Sequence, residues 1–289
     1  MYGFFRNGGT RCYVAYVDDN NDIDRVLEEF EAIDEIAIVV APGYEAAKAK
    51  IKDHCLKMGD RFAVLDSKEE DDITSVLQQD FTSDYAALYF PWIQVYDSAS
   101  KQNIFVPPSG HIAGVYARVD NQRGVHKAPA NEALLGALDL KYNVSKTKQA
   151  GLNPAGINCI RRLNGNILVW GARTLGGDAN GEFKYLNIRR YFNYLKDSID
   201  SGTQWTVFEP NTPELWAKIR RNITAFLTME WRQGALFGTS VDQAFFVKCD
   251  EENNPIQSRN LGRVVTEIGV AVIEPAEFVI FQLSQWSGE

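Results

Sequence analysis

The stretch 36–66, IAIVVAPGYEAAKAKIKDHCLKMGDRFAVLD, decides the fold because it reads as strand, helix and strand in sequence. Its two ends, IAIVV and RFAVLD, are short apolar runs without polar alternation, the pattern of strands covered on both faces of a parallel sheet. Between them Tyr44, Ala47, Ile51, Cys55 and Met58 recur at three- and four-residue steps and so share one buried stripe of a helix. His54 flanks that stripe and reads as structural.

Outward from this unit the same punctuation continues. CYVAYV at 12–17 and YAALYF at 85–90 read as further strands, and IDRVLEEF at 23–30 and DDITSVLQQ at 71–79 as further helices. The expected class is α/β, a βαβ core with a mixed sheet. A stretch rich in glycine and proline turns follows at 91–178, where loops are expected to dominate. Two long helices come next, over 185–200 and 213–232, the second capped by Asn211 or Thr212. The β-rich end begins near Ala244 and closes with 263–286, RVVTEIGVAVIEPAEFVIFQLSQW, in which Pro275 separates two β-prone runs.

Composition narrows the function. The chain has 289 residues, of which 45% are hydrophobic, enough for a sizeable core. A formal charge of −8 argues against a protein that tracks nucleic-acid phosphates. Cys12, Cys55, Cys159 and Cys249 are scattered without CxxC spacing, which fits reduced, buried thiols and no zinc site. The first sixteen residues carry no signal-peptide core, and no run approaches the roughly 18 apolar residues that span a bilayer, so neither secretion by signal peptide nor membrane insertion is expected.

Catalytic and ligand signals are weak. There is no GxxxxGK[ST], and the first β-prone run leads into Asp18 and Asp19 where a GxGxxG turn would stand. Asp18, Asn20, Asp22 and Asp24 with Glu29 copy calcium-loop spacing, but Ile23 occupies the position that needs glycine. His54, His111 and His126 are the only histidines, and Ser109-Gly110-His111 lacks a GxSxG elbow and is flanked by Pro108 and a helix-like run, so His111 reads better as the cap of a helix start or as a local pair. No catalytic, cofactor-binding or metal residue is assigned. Arg118, Arg123, Arg161, Arg162, Arg173, Arg189 and Arg190 suit bidentate pairs at interfaces better than catalysis.

On the helix over 213–232, Leu215, Trp216, Ile219, Ile223, Phe226 and Leu227 fall on one side, with Lys218, Arg221 and Arg232 opposite and Arg220 flanking. A basic face on an acidic chain suits an acidic partner; an ordinary solvated face is the alternative.

Several separated motifs, in order, resemble one family. They are GVYAR at 114–118, RGVHKAPAN at 123–131, VWGART at 169–174, FEPN at 208–211, Trp231 with GAL at 234–236, AFFV at 244–247, EIGVA at 267–271 and PAEF at 275–278. Together they make the chain similar to the tail sheath proteins of contractile phage tails and contractile injection systems. FFRNGG at 4–9 is also similar, but in the family an extended N-terminal arm precedes it, and here Met1 stands almost directly before it.

The resemblance implies a structural, non-enzymatic subunit. It implies hexameric rings stacked helically around an inner tube, with contraction driving the tube through a target envelope. It implies partners in neighbouring sheath subunits, the inner tube protein, the baseplate and a terminal cap, in a particle assembled in the bacterial cytoplasm. The division expected is 1–90 as part of the α/β core, 91–273 as its remainder plus a C-terminal α+β sheath domain, and 274–289 as an extended β arm. Phe278, Val279, Ile280, Phe281, Leu283 and Trp286 are the expected inter-subunit arm residues. Lys218, Arg221 and Arg232 are the expected inner-tube contact. The stretch 263–273 is then an internal strand. Without an N-terminal arm, lateral linkage is expected to be impaired. The competing readings are an α/β hydrolase with a subtilisin-like core, using His111 or His126 as base, and a Rossmann-like ligand-binding module.

Overall fold

The computed structural model describes residues 1–17 and 22–278. In chain order the strands are β1 (Ile38–Val39), β2 (Phe62–Asp66), β3 (Ala86–Phe90), β4 (Ile93–Asp97), β5 (Gln102–Val106), β6 (Glu132–Ala133), β7 (Ala137–Leu140), β8 (Ile157–Leu163), β9 (Asn166–Trp170), β10 (Phe245–Lys248) and β11 (Glu267–Val270). The helices are α1 (Tyr2–Arg6), α2 (Asp22–Glu31), α3 (Lys48–Met58), α4 (Ser109–Arg123), α5 (Lys146–Leu152), α6 (Leu186–Thr203), α7 (Pro213–Arg232), α8 (Val241–Ala244) and α9 (Ile256–Asn260).

The central sheet runs β1-β2-β3-β8-β9-β6. Its first four strands are parallel, and β9 and β6 add antiparallel, which makes the sheet mixed. Side chains alternate between two cores, as strand geometry requires. Ala63, Leu65, Leu88 and Cys159 join Leu27, Ile51 and Cys55 of α2 and α3 on one face. Phe62, Val64, Tyr89 and Ile160 join Ile112, Val115 and Tyr116 of α4 on the other. With both faces covered, β2 and β3 are buried throughout, which is why they carry no polar alternation. Helix α3 stops at Gly59, whose φ of 68° a side chain would resist and whose N–H closes on the Cys55 carbonyl.

A third core lies under the C-terminal layer. Tyr191 and Leu195 of α6 meet Leu215, Trp216, Ile219, Ile223 and Leu227 of α7 and Phe245 of β10. The Tyr191 and Tyr194 hydroxyls donate to the buried Glu230 carboxylate at 3.0 and 3.1 Å and tie the two helices together. A small sheet pairs β10 antiparallel with β11, so the first half of the terminal β-prone stretch is an internal strand. Helix α7 spans the expected residues, and Thr212 is its cap, accepting from the Leu215 N–H.

Three local expectations fail for physical reasons. The stretch 12–17 is not a strand: it is mostly exposed and pairs with no strand among the described residues. Cys12 is therefore exposed, while Cys55, Cys159 and Cys249 are buried as expected. The stretch 71–79 keeps only a single turn at Ser75–Leu77, which Asp72 starts by accepting from the Thr74 and Ser75 N–H groups.

The stretch 91–178 is far from loop-dominated, since it holds β4 to β9, α4 and α5. There the glycines serve packing: a Cβ on Gly114 would stand 2.3 Å from the Phe4 carbonyl oxygen, so its absence lets α1 lie directly on α4.

Candidate assembly surfaces

The C-terminal chain leaves the fold through a fixed exit. After β11, Ala271 donates to Ala244 and accepts from Phe237, and Val272 bridges Leu236. Past Pro275, Glu277 is seized by the core. Arg173 Nε reaches Glu277 Oε1 at 2.9 Å, Nη2 reaches Oε2 at 2.8 Å, and the Tyr185 hydroxyl donates to Oε2 at 3.0 Å. Arg173 is 6% exposed and also donates to the Asn153 carbonyl and the Asp178 carboxylate. Burial opposes its charge, but Glu277 and Asp178 overcome that and hold the guanidinium above its ordinary pKa. Burial first, and then the Glu277 charge, pushes the Tyr185 hydroxyl up to about 12.

The next residue, Phe278, is 66% exposed. Of the expected arm residues it alone is described; Val279, Ile280, Phe281, Leu283 and Trp286 lie outside the described residues. Sequence reasoning missed Glu277 and gave Arg173 no specific partner. The two stand in separate motifs, VWGART and PAEF, and only the fold closes the gap between them.

On α7 the apolar stripe is buried as expected, and Phe226 is partly buried against it. Lys218, Arg221 and Arg232 are all exposed. At about 100° per residue, Arg221 and Arg232 share one azimuth and Lys218 lies a sixth of a turn away, so the three form one stripe. Lys218 pairs with Glu214 at 3.4 Å one turn earlier. Among the described residues the Arg221 and Arg232 guanidinium groups make neither hydrogen bond nor ion pair. Arg220, flanking, is spent on the Cys249 carbonyl at 2.9 Å.

The residues that a hydrolase would need are occupied otherwise. Ser109 donates its hydroxyl and its N–H to the buried Asp66 carboxylate, each at 2.7 Å, and Gly43 N–H adds a third bond at 3.1 Å. This arrangement caps α4; burial pushes Asp66 up to about 6. The His111 ring lies against Gly3, where a Cβ would come within 2.3 Å, and burial pushes it down to about 4. His126 packs edge-on to Tyr191 at 6.2 Å. Neither ring hydrogen-bonds a serine or cysteine among the described residues. His54 bonds the buried Arg61 guanidinium at 3.1 Å and is structural.

The calcium-like spacing is likewise absorbed. Asp22 and Asp24 start α2, Arg25 pairs with Asp22 and Glu29, and Lys50 pairs with Asp24, while Asp18 and Asn20 lie outside the described residues. No group of metal-ligating side chains is found among the described residues, and none of their helices is long and apolar enough to cross a membrane.

Several of the arginines expected to pair at interfaces are instead held within the chain. Arg190 grips Asp120, Arg162 meets Asp139, Arg189 pairs with Asp84, and Arg118 holds the Asn7 and Ala133 carbonyls.

Comparison with known proteins gives a consistent result. The phage tail sheath protein central domain family matches residues 18–175, and the phage tail sheath C-terminal domain family matches 178–285. A prophage major tail sheath protein of Pseudomonas aeruginosa (strain UCBPP-PA14) is 28% identical over 264 residues, which is 87% of this chain and 66% of that protein. The chain thus spans just under two thirds of that relative's length. The sheath complex of an extracellular contractile injection system, PVC, in its contracted state matches with a TM-score of 0.86 at 33% identity, over 99% of this chain and 79% of the other. The baseplate structure of the anti-feeding prophage contains a chain that matches with a TM-score of 0.85 at 32% identity, over 98% and 79%.

Proposed function

The chain belongs to the phage tail sheath protein family, and from that premise we propose that it is a structural subunit of a contractile sheath. Copies associate with one another in stacked hexameric rings around an inner tube, meet the baseplate at one end and a cap at the other, and contract to drive the tube through an envelope. The observation that carries this reading is the match over 99% of the chain to a contracted sheath complex. The particle is a phage tail or injection device, assembled before release in the bacterial cytoplasm. No catalytic chemistry is required.

A contracting sheath needs two unlike contacts. One must survive large subunit movement, and strand addition suits it because many backbone hydrogen bonds break together or not at all. Phe278 and the apolar residues after it, Val279, Ile280, Phe281, Leu283 and Trp286, are the proposed strand, with the arm domain at 274–289 beyond the core divisions 1–90 and 91–273. The other contact must exchange for water at low cost, and exposed ion pairs do so. The stripe of Lys218, Arg221 and Arg232 supplies it, facing an acidic tube.

Negative-stain microscopy of the chain with its inner tube protein tests the reading. Association of copies with one another on tubes is expected, and its loss without loss of folding is expected when residues 278–286 are deleted. Folded chain that never associates with itself or with tubes would overturn it.

A further inference from the structure

Between the end of α6 and the middle of α7 lies an open pocket of about 390 Å³. Lys218, Arg221, Asn222 and Ala225, which share one face of α7, line one side, and Trp205 of the α6–α7 connection lines the other. The connection is built, not slack. Trp205 Nε1–H donates to the Gly202 carbonyl at 3.0 Å, and Asn211 closes the far end by donating to the Arg263 carbonyl and accepting from Trp216 Nε1–H. Because its only polar atom is already bonded, the indole presents an apolar wall, and it is 45% exposed. The same connection carries Phe208 fully exposed at a φ of +67°, a conformation unfavourable for an aromatic residue.

We propose that this pocket takes one carboxylate side chain, Asp or Glu, from an acidic protein surface. Arg221 and Lys218 provide the charge, and the Trp205 indole provides an apolar wall beside them. Charge complementarity selects the occupant. The pocket brings two cations together on a chain of net charge −8; Lys218 shares its charge with Glu214 at 3.4 Å, and the Arg221 guanidinium makes no ion pair or hydrogen bond among the described residues. The apolar wall adds to the exposed ion pair a surface on which the methylene groups of the incoming side chain can pack. Trp beside Arg, ringed by near-neutral contacts, is the composition of an interface hot spot. The inference rests on the reading of α7 as tube-facing, and it makes Trp205 the residue that sets affinity there.

The test is a double-mutant cycle on binding of the full chain to preassembled tubes of the inner tube protein, at low and high salt, for Trp205→Ala, Trp205→Phe, Lys218→Gln with Arg221→Gln, and the combination. Thermal midpoints check folding, and Trp205→Phe serves if Trp205→Ala is unstable. Trp205→Ala is expected to weaken binding about tenfold. The charge variant is expected to weaken binding and flatten its salt dependence, and the combination to cost less than the two effects summed.

If the charge variant weakens binding but neither Trp205 variant does, the pocket proposal fails and the tube-facing reading stands. If Trp205 matters and the charges do not, the occupant is apolar and the proposal fails. If neither matters, both readings fall.

Discussion

Arg173 and Glu277, 104 residues apart, form a forked ion pair at 2.8 and 2.9 Å that fixes where the C-terminal chain leaves the core. The pair sits between the turn after α5 and the loop before α6, with Asn153 and Asp178 holding the guanidinium in place. Glu277 is therefore anchored to the globular body.

Glu277→Gln is expected to leave the fold intact, because Arg173 keeps Asn153 and Asp178 as partners. Losing the charge-assisted fork should cost about 1–3 kcal/mol, felt locally. Hydrogen exchange over residues 272–278 should rise well above that of β11, and equal protection in variant and parent would refute the clamp.

Gly114→Ala is expected to destabilise by about 1–3 kcal/mol, since a methyl group 2.3 Å from the Phe4 carbonyl oxygen must push α1 off α4. Gly151→Ala on α5 is the control: nothing lies within 4 Å of its added Cβ, and helix propensity predicts a gain of about 0.5–1 kcal/mol. Denaturant midpoints should move in opposite directions.

Two buried groups set opposing pH dependences in one window. Asp66, raised from 3.8 to about 6, contributes stability that is complete below 3.8 and lost as pH rises through 6. His111, lowered from 6.5 to about 4, contributes stability that is present above 6.5 and lost as pH falls through 4. Each effect is on the order of 3 kcal/mol. Asp66→Asn should therefore lose more stability than the parent between pH 7 and pH 4, and His111→Gln should lose less. Parallel pH–stability curves for the two variants would contradict this.

On α7 the two faces should separate stability from assembly. Ile223→Ala, at a site 2% exposed, is expected to cost about 2–5 kcal/mol. Arg221→Ala, exposed and unpaired among the described residues, should change thermal stability by less than about 0.5 kcal/mol while weakening attachment to tubes. An Arg221→Ala variant that unfolds early would place this face in the core.

Legibility from sequence followed the range of the interactions. The stripe Ile51 and Cys55, the buried strands β2 and β3, and the whole span of α7 were readable because periodicity and capping act within a few residues. The stretch 12–17 was misread because a β-prone run becomes a strand only where a partner edge is available, and none of the described strands pairs with it. A helix start at His111 was readable, but the span of α4 was not, because Gly110 and Gly114 look like turn residues until Phe4 arrives beside the second of them.

By itself the sequence determined the α/β class, the two long helices, the basic stripe of Lys218, Arg221 and Arg232, and, through motif order, the resemblance to tail sheath proteins. Each rests on local periodicity, on charge, or on residues whose order survives without coordinates. Tertiary structure alone decided that Arg173 clamps Glu277, that Asp66 caps α4 through Ser109, and that Trp205 stands opposite Arg221. These pairings join residues 16 to 104 positions apart, and no pattern in a linear chain specifies which distant partner will satisfy a buried charge or wall a pocket. Packing makes that choice, once the sheet, α4 and α7 have fixed the distances between them.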